Sequence, residues 1–340
     1  MGDELVLVTG GSGFLGAHCI VALLERGYRV RTTVRSMDRQ VEVWAALEMA
    51  GLADAEVDIV AADLRFDAGW EAAAAGCGYV LHTASPFPAN APKDENELIV
   101  PARDGALRVL SASRAAGVKR VVLTSSFAAV GYGHPSRDTE FTEADWSNPQ
   151  ADIGAYTKSK ALAERAAWDF IAADGGTLEL AVVNPVAIIG PVLGPKLSTS
   201  IELVRRLLSG GMPGLAKISL PVVDVRDVAD LHVRAMVDPA AAGERFLAVA
   251  GPAWSLEQMA GILRVRLGNE GSKIPTRVLP NWLVRAAAVF VPPLRQLVPR
   301  LGVVRNASNA KAVGTLGWEP RPVEDSLVDT ARSLQKLGML

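Results

Sequence analysis

Leu5-Val6-Leu7-Val8-Thr9-Gly10-Gly11-Ser12-Gly13-Phe14-Leu15-Gly16-Ala17-His18-Cys19-Ile20 is the stretch whose reading decides the fold. An apolar strand over Leu5–Thr9 runs into a turn with spaced glycines, and a helix pattern follows from Phe14 to Arg26. The three spaced glycines do different physical work. Gly10 permits a positive φ in the turn, Gly13 lets backbone approach a pyrophosphate, and Gly16 lets helix pack close on strand. Phosphate would then rest on the helix N-terminus, where unpaired N–H groups and the dipole favour negative charge, and Gly10, Gly13, Phe14, Leu15 and Gly16 are assigned to the cofactor. A glycine cluster alone is as well explained by a tight structural turn. The strand before it and the helix after it make it a dinucleotide-binding turn.

Outward from that turn, short β-branched runs alternate with helical patterns through the first half of the chain. Strands are expected over Leu5–Thr9, Arg29–Val34, Val57–Ala61, Tyr79–Thr83, Arg120–Thr124 and Leu178–Val183. Helices are expected over Phe14–Arg26, Arg39–Ala50, Ala68–Ala75, Asn96–Ala116 and Ala155–Ala173. Several strands are continuous apolar runs, as burial on both faces requires. The fold class is α/β, a Rossmann-type doubly wound parallel sheet with a smaller C-terminal substrate lobe. After Asn184-Pro185 the rhythm breaks into Gly-Pro loops, so residues 1–184 are assigned to the dinucleotide-binding domain, with return segments near 218–250, and 185–340 mainly to the substrate lobe. A strand over Leu220–Val225, another over Arg245–Ala250, and helices over Leu256–Leu267 and Val323–Gln335 are divided between the two.

Composition narrows the partners. The chain has 340 residues, 35 basic against 37 acidic side chains and a net charge of −2, with Lys and Arg scattered. That distribution offers no footprint for nucleic acid or an anionic membrane and points to a small-molecule substrate. Cys19 and Cys77 are too few for a disulfide framework and lack metal-ligand spacing, so no metal is assigned and a reducing cytoplasm is expected. The first apolar run begins four residues after Met1, behind Asp3 and Glu4, where an export signal would carry positive charge. The apolar stretch Leu279–Leu294 is interrupted by Arg285 and Pro292-Pro293, is too short to span a bilayer, and reads as a helix with an exposed apolar face. A monomer or homodimer is expected.

The end of the second strand selects the dinucleotide. An NAD-preferring site places Asp or Glu there for the ribose 2′-hydroxyl. Here the segment is Val30-Arg31-Thr32-Thr33-Val34-Arg35-Ser36, with no acid before Asp38. The guanidinium fork of Arg35 suits a 2′-phosphate, with Arg31 or Arg39 able to add charge, which favours NADP(H); the alternative is a solvated surface arginine.

Tyr156-Thr157-Lys158-Ser159-Lys160 places a phenol and an ammonium on one helical face. A nearby cation lowers a phenol pKa, which makes Tyr156 a general acid, although the spacing alone can arise by chance. Context comes from Leu123-Thr124-Ser125-Ser126 at a strand's C-terminal end, where open α/β sheets bind ligands. Ser126 is taken to hydrogen-bond a substrate carbonyl and Ser125 to serve the backbone or the nicotinamide side; an ordinary strand-end cap is the alternative for both. The four dispersed histidines are given no chemistry.

These motifs resemble the extended short-chain dehydrogenase/reductase family, in its dihydroflavonol reductase, cinnamoyl-CoA reductase and microbial aldehyde (methylglyoxal) reductase branch. The resemblance is carried by Thr9–Gly16, Thr32–Arg35, Ala62-Asp63-Leu64, Tyr79–Pro86, Thr124–Ser126, Tyr156/Lys160, Asn184-Pro185, Val223–Ala229 and Leu316-Gly317-Trp318, in family order and over nearly the whole chain. It implies that Ser126 binds the carbonyl, Tyr156 donates the proton, and Lys160 holds the nicotinamide ribose and tunes Tyr156. It further implies that Asp63 and Leu64 lie on the adenine side, that Thr83, Ala84 and Ser85 lie beside the cofactor, and that Pro185 lines the nicotinamide face. Phe87 and Phe127 would flank an apolar pocket, with core packing as the alternative. Cinnamoyl-CoA reductases carry Asn-Trp-Tyr-Cys-Tyr before the catalytic tyrosine, whereas this chain has Ala151-Asp152-Ile153-Gly154-Ala155, which weighs against a CoA thioester.

The resulting expectation is an NADPH-dependent aldehyde or ketone reductase. A sugar-nucleotide epimerase or dehydratase with tightly held NAD is the first alternative, and Arg35 in place of an acid argues against it. A non-catalytic dinucleotide sensor is the second, and it would not need Ser126, Tyr156 and Lys160 together.

Overall fold

The computed structural model describes residues 4–86, 94–135, 137–295 and 297–340. Its first half alternates strictly: β1 (Leu5–Thr9), α1 (Phe14–Leu24), β2 (Arg29–Val34), α2 (Gln40–Met49), β3 (Val57–Ala61), α3 (Trp70–Ala74), β4 (Tyr79–His82), α4 (Asn96–Ala115), β5 (Arg120–Thr124), α5 (Ala155–Asp174) and β6 (Glu179–Pro185). The second half has shorter elements: β7 (Ala187–Ile189), α6 (Thr199–Leu208), β8 (Leu215–Ala216), β9 (Ser219–Leu220), β10 (Val222–Asp224), α7 (Val225–Val237), β11 (Arg245–Ala248), β12 (Trp254–Ser255) and α8 (Leu256–Leu267). It closes with β13 (Val278–Leu279), α9 (Asn281–Phe290), α10 (Pro292–Arg295), α11 (Ala310–Leu316) and α12 (Val323–Lys336).

Side chains alternate across a strand, so a continuous apolar run feeds two cores at once. Val6 and Val8 of β1 enter one hydrophobic cluster and Leu7 the other, and β6 divides Ala181 and Val183 from Leu180 and Val182 in the same way. Helices α1 and α7 pack together over the first layer, and α4 and α5 over the second. Each fully buried Val or Leu contributes on the order of 2 kcal/mol, so this two-sided pattern specifies the central strands.

Seven strands form one parallel sheet in the order β11-β6-β5-β4-β1-β2-β3. The chain winds one way from β1 through β2 to β3 and the other way from β4 onward, so the switch point lies between β1 and β4, where Thr9 aligns with His82. In open sheets ligands bind in the crevice beyond that point. The seventh strand, β11, comes from the later part of the chain and aligns Ala248 with Pro185. A separate cluster around Ile201, Leu207, Leu256, Leu263 and Leu327 forms the core of the remaining elements.

Several expected boundaries move for identifiable reasons. The run Leu220–Val225 is two strands, β9 pairing antiparallel with β12 and β10 parallel with β7. Pro221 stands between them and lacks the N–H that would continue either ladder. Likewise the stretch Leu279–Leu294 is broken before Pro292 into α9 and α10, with Trp282 and Phe290 exposed. No helix among the described residues is long and apolar enough to cross a membrane. Cys19 and Cys77 are free and buried.

Burial has a pH consequence. Desolvation lowers the pKa of His18 to about 4, of His82 to about 3 and of His232 to about 4. These rings stay neutral in the folded chain while unfolded histidine protonates near 6.5. Between those values the unfolded state binds more protons, so stability is lost as pH falls below about 6.5, by about 1.4 kcal/mol per pH unit for each histidine. Urea unfolding at pH 7, 6 and 5 is expected to show this decline, and a flat profile would contradict it.

Candidate functional site

The glycine turn joins β1 to α1 at the switch point. Gly10 has φ +74°, and a Cβ there would meet Ala84 at 3.0 Å. A Cβ on Gly13 would stand 3.1 Å from the Gly10 carbonyl oxygen, and one on Gly16 only 2.4 Å from it. The turn is thus folded as tightly as bare backbone allows. Gly13 is the N-cap of α1 and provides no side-chain cap, so the first N–H groups of the helix, from Phe14, Leu15 and Gly16, face outward as a ready anion seat. This bare, uncapped cradle fits a pyrophosphate.

Thr9 ties the turn to the end of β4. Its carbonyl accepts from the Thr83 hydroxyl at 2.7 Å, its hydroxyl oxygen accepts from the Ala84 N–H at 3.1 Å, and Thr9 Oγ1 lies 2.7 Å from His82 Nδ1. Ser85 follows on the same segment and lines a cavity of about 20 Å³ with His82, Thr124, Ser125, Lys160 and Glu164. A wider depression of about 510 Å³ lies between Trp146, Trp168, Arg245 and Lys311, and includes neither the glycine turn nor Tyr156.

At the other side of the crevice, β2 ends in exposed Arg35, whose charge helps lower the pKa of Asp63. The larger cause of that shift is Arg65, which grips the Asp63 carboxylate at 2.7 Å. Leu64 is buried beneath α4, where a side chain on Gly105 would strike it at 2.8 Å. Arg31 is engaged elsewhere, with Asp58 at 2.6 Å and the carbonyls of Ala72, Ala73 and Ala75. Arg39 is paired with Glu42 at 2.8 Å. Of the three arginines expected near a 2′-phosphate, Arg35 is the one presented at the strand end.

The residues expected to transfer the proton come from two elements. Helix α5 starts after Gly154, at φ +77°, and its buried face carries Ala161, Ala163 and Ala167. Small residues there favour the helix and let it approach the sheet closely. Tyr156 and Lys160 stand one turn apart on it, pointing to the tip of β5. There Ser126, in extended conformation, begins a single 3₁₀ turn over Phe127–Ala129, and its Oγ accepts from the Ala128 N–H at 3.1 Å. The Ser126 hydroxyl also lies close enough to the Tyr156 phenol to favour its phenolate form. Ser126 therefore both caps a turn and meets the tyrosine.

Ser125 has a different neighbour. Its hydroxyl donates to the buried carboxylate of Glu164, to which Asn184 Nδ2 also donates at 2.7 Å. Pro185, the next residue, closes β6. Lys160 is buried, and its Nζ donates to the Thr124 carbonyl at 3.4 Å.

Two expectations change here. Helical spacing predicts a lowered pKa for Tyr156, yet desolvation at its phenol raises it, with Ser126 acting the other way, although the residue as a whole is 38 % exposed. Desolvation instead brings Lys160 down to about 8, against the pull of Glu164. Phe127, a pocket candidate by sequence, is 4 % exposed and packs edge-on against Phe141 and Tyr132, because Gly131 leaves room for its ring. Phe87 lies outside the described residues. Among the described residues no cluster of His, Cys, Asp and Glu is arranged to hold a metal.

Residues 6–249 match the family model described as the NAD dependent epimerase/dehydratase family. The chain belongs to this family. The extended short-chain dehydrogenase/reductase resemblance of the motifs thus stands. Among curated members, a cinnamoyl-CoA reductase of Medicago truncatula is 32% identical, over 98% of this chain and 96% of its own. A ketoreductase of Aspergillus niger is 34% identical, over 82% of this chain and 87% of its own. Among solved structures, the yeast methylglyoxal/isovaleraldehyde reductase Gre2 complexed with NADPH superimposes with a TM-score of 0.80 at 26% identity, covering 99% of this chain and 100% of that one.

Two members of the site escape the sequence reading, Glu164 and Arg245, while Asn184 enters it only within the Asn184-Pro185 motif and without a role of its own. Glu164 carries a readable signal, since it continues the four-residue spacing Tyr156, Lys160, Glu164 on an otherwise alanine-rich helix face. Arg245 carries none, because only the addition of β11 to the sheet brings it there.

Proposed function

We propose that the protein is an NADPH-dependent carbonyl reductase, reducing an aldehyde or ketone with Tyr156 as proton donor. The observation that carries this reading is the meeting of Ser126, at the tip of β5, with Tyr156 beside Lys160, whose Nζ reaches the Thr124 carbonyl at 3.4 Å, at the same end of the sheet as the glycine turn. The dinucleotide, when bound, supplies the hydride.

The chain's own residues supply the rest. Ser126 donates its hydroxyl to the substrate oxygen and steadies the charge that grows there. Tyr156, whose phenol keeps its proton at neutral pH, gives that proton to the same oxygen and is left as phenolate. Lys160, with a pKa near 8, is mostly cationic at neutral pH and offsets that negative charge. Solvent then reprotonates the phenol, and the product is an alcohol.

For the cofactor, Gly10, Gly13, Phe14, Leu15 and Gly16 would seat the pyrophosphate, and Arg35 would take the 2′-phosphate, with Arg39 nearby but paired to Glu42. Asp63 and Leu64 would border the adenine. Thr83, Ala84, Ser85 and Pro185 would lie along the nicotinamide, whose ribose Tyr156 and Lys160 would hold. The NADPH complex of the yeast reductase supports the choice of dinucleotide. An epimerase of this family would retain NAD, which the basic end of β2 does not favour.

The test is NADPH consumption with a panel of aldehydes, α- and β-ketoesters and dihydroflavonols. Alcohol formation matching NADPH oxidation is expected, and Arg35→Asp should raise the KM for NADPH about tenfold or more while sparing NADH. Equal effects on both cofactors would remove Arg35 as the phosphate reader. No consumption across the panel, with copurifying NAD that does not exchange, would favour the epimerase instead.

A further inference from the structure

Glu164 is a carboxylate with 1 % exposure on the buried face of α5, among Thr157, Ser159, Lys160, Ala161, Ala163 and Ala167, and the reaction just described does not use it. Burying a charge is costly unless it is paired and hydrogen-bonded. Four groups meet it. The Ser125 hydroxyl donates to it from the tip of β5, and Asn184 Nδ2 from β6 at 2.7 Å. Trp168 Nε1 donates at 3.4 Å from one turn further along α5. Arg245 of β11 brings Nε to 2.8 Å as an ion pair, off the line of an aligned hydrogen bond.

Arg245 is itself fixed. Its Nη1 donates to the carbonyls of Glu143 and Asp145, and its guanidinium stacks 3.9 Å from the centre of the Trp146 ring. The strut continues to the reacting groups, for Asn184 Nδ2 also donates to the Ser126 carbonyl at 3.2 Å. On the helix side, Glu164 lies one turn beyond Lys160 and raises its pKa against burial. A single carboxylate therefore touches the residue before Ser126, the residue that holds the Ser126 backbone, and the helix turn that carries Lys160.

We infer that Glu164, anchored by Arg245, is the positioning residue that fixes Ser126 against Tyr156 and Lys160. The inference rests on the reductase reading of those three residues and deepens it. Every group that meets Glu164 is a donor, so only an ionised carboxylate satisfies them together. A glutamine of the same shape would turn its own N–H groups toward Asn184 or Arg245. Without the strut, the tip of β6 loses this tie to α5, the tip of β5 is left with the Lys160 bond to the Thr124 carbonyl, and Ser126 no longer keeps its place beside the phenol.

Glu164→Gln is the test, compared with Tyr156→Phe and the unaltered protein. A displacement of about 1 Å at the reacting groups lowers turnover about 100-fold, so kcat is expected to fall by that factor while the Kd for NADPH stays within about threefold. Hydrogen–deuterium exchange of the protein without cofactor is expected to accelerate at 125–128 and to remain unchanged in β1. Unaltered kcat in folded Glu164→Gln overturns the inference, and so does exchange that rises equally in β1, which would mark a purely structural residue. If Glu164→Gln does not fold, Ser125→Ala removes one strut and leaves the ion pair: a kcat lower by about tenfold at unchanged Kd supports the inference, and an unaltered kcat overturns it. Turnover surviving in Tyr156→Phe would refute the proton donor alone, because the exchange at 125–128 reads the strut independently of activity.

Discussion

Tyr156→Phe is expected to lower carbonyl turnover by about 1,000-fold, within the range that a positioned general acid contributes, while the Kd for NADPH changes only a few-fold. The substitution removes one oxygen and leaves the ring in place. With that oxygen go the proton that reaches the substrate and the partner of the Ser126 hydroxyl. Ser126 keeps its other bond, accepting from the Ala128 N–H at 3.1 Å, so the turn over Phe127–Ala129 should persist. Single-turnover rates at saturating NADPH, with cofactor affinity measured by fluorescence, separate the two effects. Turnover near the original rate would mean that another group or water protonates the product.

Gly16→Ala is expected to weaken NADPH binding by about 100-fold and to destabilise the fold by about 1–3 kcal/mol, the usual range for forced overpacking. The new Cβ would stand 2.4 Å from the Gly10 carbonyl oxygen and 3.0 Å from Thr83 Oγ1. Backbone cannot yield as a flexible side chain does, so α1 must lift from the turn and carry its N-terminal N–H groups away from the pyrophosphate seat. Gly261→Ala is the control: it lies inside α8 with nothing within 4 Å of the added carbon. There the better helix propensity of alanine should add about 0.5–1 kcal/mol of stability. Thermal melts with and without NADPH check both variants, and an unaltered NADPH-induced shift in Gly16→Ala would show that the close approach is dispensable.

The two predictions draw on parts of the chain that differ in how far sequence reaches. The phosphate seat is local: Leu5–Thr9, the glycines and α1 are consecutive, so strand, turn and helix follow from neighbouring residues. The same holds for β2, β3 and β5, whose limits match the β-branched runs that form them. The expected runs Leu220–Val225 and Leu279–Leu294 are broken at Pro221 and before Pro292, and β6 extends through Asn184-Pro185 to pair with β11. The proton-transfer set is legible in residue type and spacing. The direction of the Tyr156 pKa is not, since it follows the desolvation that groups packed around the phenol impose, which spacing along the helix does not reveal.

The sequence by itself determined the doubly wound sheet, the glycine turn between β1 and α1 and the candidates Ser126, Tyr156, Lys160 and Arg35, because hydrophobic period, turn chemistry and helical spacing act over a few residues. Tertiary structure decided the rest. It sent Phe127 into the core, gave Ser125 to Glu164 and Ser126 to Tyr156, left Arg35 exposed just past the end of β2, and brought Arg245 from the far edge strand to a carboxylate on α5. Adjacent serines in an extended segment point to opposite sides, and which side meets which helix is set only when distant crossovers close the sheet.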